Sequence, residues 1–151
     1  MNKIIYTENA PEPIGPYSQA ILSGNISPDN ASSGDASTIS SGNNSSGNIL
    51  FCSGQLALDA RTGAFIGGNI TEQTQKTVEN ISAVLDAAGM GFENVVKTTC
   101  FLASMEDFAE FNAVYEQHFI SKPARSCIAA KELPKGALVE IECIAMGSQI
   151  L

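Results

Sequence analysis

The chain has 151 residues, 44% of them hydrophobic and 16% charged, a length and balance that suit one packed soluble domain and exclude a disordered chain. Sixteen acids against eight bases leave a net charge of −8. With only Arg61 and Arg125 as arginines and six dispersed lysines, a nucleic-acid backbone finds no basic patch. No run of about 18 apolar residues is present and the first residues lack an apolar leader core, so neither a membrane span nor a signal peptide is expected, and the compartment expected is the cytoplasm.

In chain order, Ile4-Ile5-Tyr6 reads as a short strand, followed by a stiff loop, Ala10 to Pro16, whose three prolines forbid regular structure. Tyr17 to Leu22 alternates polar and apolar residues as a strand does, and Ile49 to Ser53 reads as another. Between them, residues 25–48 hold 17 Ser, Thr, Asn or Gly in 24, with no Lys, Arg, Glu or aromatic residue, and cannot build a core. They read as a low-complexity loop insertion within one domain spanning 1–151, tolerated because loop closure costs only about 0.6 kcal/mol per doubling of length.

Gly54 to Gly68 reads as a hairpin turning at Asp59 to Gly63, with Arg61 solvated at its tip. Asn69 and Glu72 form a capping-box pattern, and Val78, Ile81, Leu85 and Ala88 follow at helical spacing before Gly89 ends the run. Asn94 to Leu102 is a β-branched strand. Ser104 then opens a second helix carrying Phe108, Phe111, Tyr115 and Phe119 on one stripe, the pattern of a core-facing helix, with His118 beside it.

The last stretch, Pro123 to Ala145, holds two strand-like runs around Pro134-Lys-Gly136. Period two places Arg125, Cys127 and Ala129 on one face of the first, and Glu140, Glu142 and Ile144 together on one face of the second. Charge on such strands costs several kcal/mol unless it is paired or used. The Arg125 fork matches a small organic carboxylate; an ion pair with Glu140 or Glu142 is the other reading. The four cysteines lie far apart without a C-x-x-C pair and read as reduced core thiols. The lone His118 excludes a two-histidine nuclease or a histidine-rich metal site within one chain. Catalysis, if present, is left to Arg, Glu, backbone groups and water. The fold class is α+β, a mixed sheet with both helices on one face. The other face is too apolar for open water and is expected to be covered by another copy of the chain.

Ile14-Gly-Pro-Tyr-Ser-Gln-Ala20, Ser53-Gly-Gln55, Ala87-Ala-Gly89, Val95-Val-Lys-Thr98, Phe111-Asn112 with Tyr115-Glu116, and Pro123-Ala-Arg-Ser126 through Leu133-Pro134 to Val139-Glu-Ile-Glu142 resemble the RidA (YjgF, reactive intermediate deaminase) family, also filed as endoribonuclease L-PSP. The resemblance spans the chain except residues 25–48. It implies a chorismate-mutase-like α+β homotrimer with ligand clefts between subunits. The implied activity is cofactor-free and metal-free hydrolysis of enamines and imines such as 2-aminoacrylate and 2-iminobutanoate to 2-keto acids and ammonia. It further implies that Arg125 clamps the substrate carboxylate, that Glu140 holds or activates the attacking water, and that Tyr17 closes the cleft. Gly54, Cys127, Phe101 and Asn112 would line the substrate pocket, with Cys127 a small wall residue. An endoribonuclease and a non-catalytic carboxylate-binding or chaperone-like trimer are the alternative functions.

Overall fold

The computed structural model describes residues 2–24 and 47–147; the insertion read at 25–48 lies outside the described residues except for its last two. The described strands are β1 (Asn2–Ile5), β2 (Ala20–Ser23), β3 (Asn48–Gln55), β4 (Val95–Leu102), β5 (Ala124–Ala129) and β6 (Val139–Gly147), with helices α1 (Ile70–Ala87) and α2 (Phe108–His118). They form a mixed six-stranded sheet in the order β1-β2-β3-β6-β4-β5. β4 and β5 are parallel and every other neighbouring pair is antiparallel.

Both helices pack on one face, as expected. α1 starts where its sequence directs: the Asn69 side chain accepts from Glu72 N–H at 3.0 Å while Glu72 Oε2 accepts from Asn69 N–H at 2.9 Å. Val78, Ile81 and Leu85 from α1 and Phe111, Tyr115 and Phe119 from the α2 stripe are buried against Leu50, Cys100, Leu102, Val139, Ile141 and Cys143 of the sheet. Each such aliphatic or aromatic side chain contributes about 1.5–3 kcal/mol on burial. The opposite face carries Ile21, Ile49, Phe51, Phe101, Glu140, Glu142, Ile144 and Met146, all of them partly or largely exposed.

Three expectations are corrected. The Tyr17–Leu22 strand begins only at Ala20, because the buried Gln19 side chain turns back to the preceding loop. The hairpin at 54–68 keeps its turn, in which Asp59 accepts from Thr62 N–H and Gly63 takes φ +67°, but its ladder shrinks to one bridge, Leu58 to Phe65. On the other side of the segment, the Leu56 and Leu58 carbonyls accept from Asn80 Nδ2 of α1, each at 2.9 Å. The helix opened by Ser104 starts as a 3₁₀ turn, Met105–Asp107, before α2 proper. All four cysteines lie in strands and are free thiols; Cys52, Cys100 and Cys143 are buried in the core, while Cys127 is half-buried. No helix among the described residues is long and apolar enough to cross a membrane.

Candidate functional site

The two strand runs of the C-terminal stretch are not neighbours. β4 lies between them, pairing with β5 through Thr98–Arg125 and Phe101–Ile128, and with β6 through Thr98–Cys143 and Phe101–Glu140. Side chains alternate across a strand, so this register sends Arg125 to the helix face and Glu140 to the open one. The candidate residues therefore fall into two groups on opposite faces.

The first group is built on β5 and α2. Arg125 Nη1 donates to Asn112 Oδ1 at 2.8 Å, and its guanidinium carbon stands 4.7 Å from the Tyr115 ring centroid, 5.5 Å from that of Phe108 and 5.7 Å from that of Phe111. No ion pair joins Arg125 to either glutamate among the described residues, so the paired reading of its charge is replaced by hydrogen bonding and ring contacts. Arg125 and Asn112 border a groove of about 770 Å³ together with Tyr115, Ile120, Lys122 and Pro123. Cys127 follows Arg125 on the same face, and burial pushes its thiol up, with the Arg125 charge opposing. A protonated thiol suits a wall residue better than a nucleophile.

The second group gathers on the open face. A β-bulge between Cys52 and Gln55 interrupts the β3–β6 ladder and brings the Gly54 backbone against the Glu140 carboxylate; Phe101 is the cross-strand neighbour of Glu140 on the other side. Burial, and then the charge of Glu142, raise the Glu140 carboxyl above its ordinary value. Tyr17 joins Gly54 in lining a small cleft of about 20 Å³. Its hydroxyl accepts from Ile14 N–H at 3.3 Å, and its own N–H donates to Gly15 O at 2.9 Å.

Several supports of these groups were not singled out from sequence. Gln19, 2% exposed, accepts from Thr7 N–H and donates to the Thr7, Ala10 and Pro11 carbonyls, fixing the loop that carries Tyr17. Ser53 Oγ donates to Ser18 O at 2.7 Å from the strand that carries Gly54. Thr98, fully buried, shares a 2.7 Å hydrogen bond with the Tyr115 hydroxyl. A polar residue on an otherwise apolar face is the available signal, and Gln19 and Thr98 both give it. His118 is a packing residue at the end of α2, with Nε2 3.2 Å from Gln75 Oε1 and its ring 5.8 Å from that of Phe92. Among the described residues no cluster of three His, Cys, Asp or Glu could hold a metal ion.

The sequence profile of a family described as endoribonuclease L-PSP matches residues 35–147. A RutC family protein of Pyrococcus horikoshii is 43% identical over 146 residues, 96% of this chain and 98% of its own. The 2-iminobutanoate/2-iminopropanoate deaminase of Bos taurus is 39% identical over 147 residues, 97% of this chain and 90% of its own. Among solved structures, E. coli TdcF with bound serine superposes with a TM-score of 0.73 at 34% identity, covering 97% of this chain and 99% of that one.

Proposed function

Because the chain belongs to the endoribonuclease L-PSP (RidA, YjgF) family, we propose that it is a deaminase that hydrolyses reactive 2-imino and enamine acids, such as 2-iminobutanoate and 2-aminoacrylate, to 2-keto acids and ammonia. The observation that carries this reading is an Arg125 fork held at the border of a groove, in a chain 39% identical to a relative named for that deamination. The bound serine of the TdcF relative, a small molecule with a carboxylate, fits the same ligand class.

Arg125 takes the substrate carboxylate through its fork. Glu140 orients a water and receives its proton as the oxygen adds to the protonated imine carbon; it returns that proton to the nitrogen of the resulting carbinolamine, the C–N bond breaks, and ammonia leaves as the hydroxyl gives its proton to solvent and the 2-keto acid forms. An enamine enters the same path after protonation at its terminal carbon. The protonated imine is already electrophilic, so orientation and one base supply the catalysis. Tyr17 closes over the substrate, while Gly54, Phe101 and Cys127 are walls. Asn112 acts through Arg125, since its carbonyl oxygen is occupied by the Nη1 donor. Arg125 and Glu140 occupy opposite sheet faces, and a site using both takes Arg125 from one copy and Glu140 from another. A homotrimer assembled through the open face provides such sites, and the cytoplasm is the compartment this reading assumes.

Keto-acid release from freshly generated 2-aminoacrylate tests the proposal. Arg125→Ala is expected to lower kcat/KM at least about a hundredfold, from two charge-assisted hydrogen bonds at roughly 1.5 kcal/mol or more each. Wild-type protein that fails to accelerate the release, or an Arg125→Ala variant as fast as wild type, overturns it. A ribonuclease is the second reading, favoured by the family description. The net charge of −8 weighs against it, and RNA cleavage that survives removal of contaminating nucleases but vanishes in Arg125→Ala puts it first.

A further inference from the structure

Tyr115 looks at first like one more core aromatic of α2, but its contacts close a ring around Arg125. Its face is the nearest of three to the Arg125 guanidinium, at 4.7 Å from the centroid, inside the range of a cation–π contact. Its hydroxyl is tied at 2.7 Å to Thr98, and Thr98 is the residue beside Arg125 in the β4–β5 ladder. The strand position next to the arginine thus holds the ring on which the arginine rests. On its other contacts the same ring stacks with Phe119 at 4.2 Å and tilts against Phe111 at 5.5 Å, so it has little freedom to turn. Phe108, partly exposed, adds a second ring 5.5 Å from the guanidinium.

We propose that Tyr115 and Phe108 are positioning residues for Arg125: their ring faces fix the plane of the guanidinium, the Asn112 hydrogen bond fixes its rotation within that plane, and the remaining N–H donors are left as a preset fork for a planar 2-imino or 2-keto carboxylate. This rests on the reading of Arg125 as the carboxylate clamp. A guanidinium carries five N–H donors and Asn112 occupies one, so the fork survives the constraint. An arginine on a free side chain loses its rotamer freedom when the ligand binds, whereas one already stacked and hydrogen-bonded has lost it beforehand, and the saving appears as affinity. The rings touch the arginine and not the reacting carbon, so their removal weakens ground-state and transition-state binding alike and shows in KM with kcat retained.

The experiment compares wild type with Tyr115→Leu, Phe108→Leu and Arg125→Ala in steady-state imine hydrolysis, with 2-ketobutyrate as a binding probe and the Arg125 Nη resonances followed by 15N NMR. Tyr115→Leu is expected to raise KM and weaken the probe by about tenfold, and Phe108→Leu by about threefold, with kcat within about twofold. The Nη resonances, distinct in wild type, coalesce in both variants as the guanidinium is freed, a change that a merely structural role for the rings does not produce. Phe108 is only partly buried, so its variant carries the test if Tyr115→Leu fails to fold. Arg125→Ala that loses the probe, together with folded ring variants that keep wild-type KM and distinct Nη resonances, overturns the positioning role alone. Arg125→Ala that still binds the probe as wild type overturns the clamp reading beneath it.

Discussion

Gly54→Ala is the substitution that best tests the geometry around Glu140. Gly54 sits at the β3 bulge with no left-handed backbone requirement, so alanine is conformationally acceptable there. Its added Cβ would overlap Glu140 Oε1 and stand 2.8 Å from Cδ and 3.0 Å from Cγ. Carbon atoms settle at about 3.5–4.0 Å, so the carboxyl group must withdraw by roughly an ångström. The obstruction is the end of a flexible side chain rather than backbone, so the fold yields cheaply and the midpoint of thermal unfolding is expected to stay close to wild type. The catalytic cost is larger, since a displacement of about 1 Å at a reacting group can cost on the order of a hundredfold. Keto-acid release by wild type, Gly54→Ala, Glu140→Ala and the double variant forms a cycle. If the methyl acts by displacing Glu140, Gly54→Ala lowers kcat/KM by ten- to a hundredfold on the order-of-magnitude scale in wild type and adds almost nothing once Glu140 is alanine. Equal losses in both backgrounds, or a wild-type rate in the single variant, refute the reasoning.

Gln19→Leu preserves volume but strips the hydrogen bonds to Thr7, Ala10 and Pro11, and the loss of this buried network is expected to lower stability by about 2–4 kcal/mol, read from urea midpoints; a variant as stable as wild type shows that the loop is held by other means. The raised pKa of Glu140 sets a pH dependence: a carboxyl that holds its proton more tightly when folded contributes stability fully present below its unfolded value of 4.5 and lost as pH rises through the folded one. Glu140→Gln should therefore gain on wild type in urea unfolding as pH rises from 4.5, and a difference that is flat with pH contradicts the shift. The open face is tested by Phe51→Glu, which places a charge on a residue 47% exposed among Ile49, Ile144 and Met146. Sedimentation is expected to give a trimer for wild type and a monomer without deaminase activity for the variant, and an unchanged sedimentation coefficient removes this face from the interface.

Local features of this fold were legible because local chemistry decides them. The Asn69–Glu72 capping box, the apolar stripe of α1 and the aromatic stripe of α2 need only neighbours within a few turns, and the structure has them in place. The misplaced elements were settled by distant partners. Asn80 of α1 holds the Leu56 and Leu58 carbonyls, on the side of the segment away from the Ala57 and Asp59 cross-strand bonds, and Gln19 claims the loop ahead of β2; neither contact is written in the periodicity of the segment it alters. In the site, the alternation on β5 and β6 was read correctly, but whether Arg125 and Glu140 share a face depends on what lies between the two strands.

β4 answers that question, and it does so through register. Thr98 stands beside Arg125 on the helix side, while Phe101, three residues on, stands beside Glu140 on the open side, so one strand supplies a neighbour to each group and fixes which way both point. The irregularity between Val95 and Lys97 sets where the regular β4–β6 pairing begins. Because side chains alternate with period two, a slip of β4 by a single residue would carry Thr98 to the open face and Phe101 into the core, undoing the Tyr115 anchor and the Glu140 wall together. The separation of the two charges is thus a property of the core itself: Cys100, Leu102, Ile141 and Cys143 can be buried against α1 and α2 only in the register that holds Arg125 and Glu140 apart.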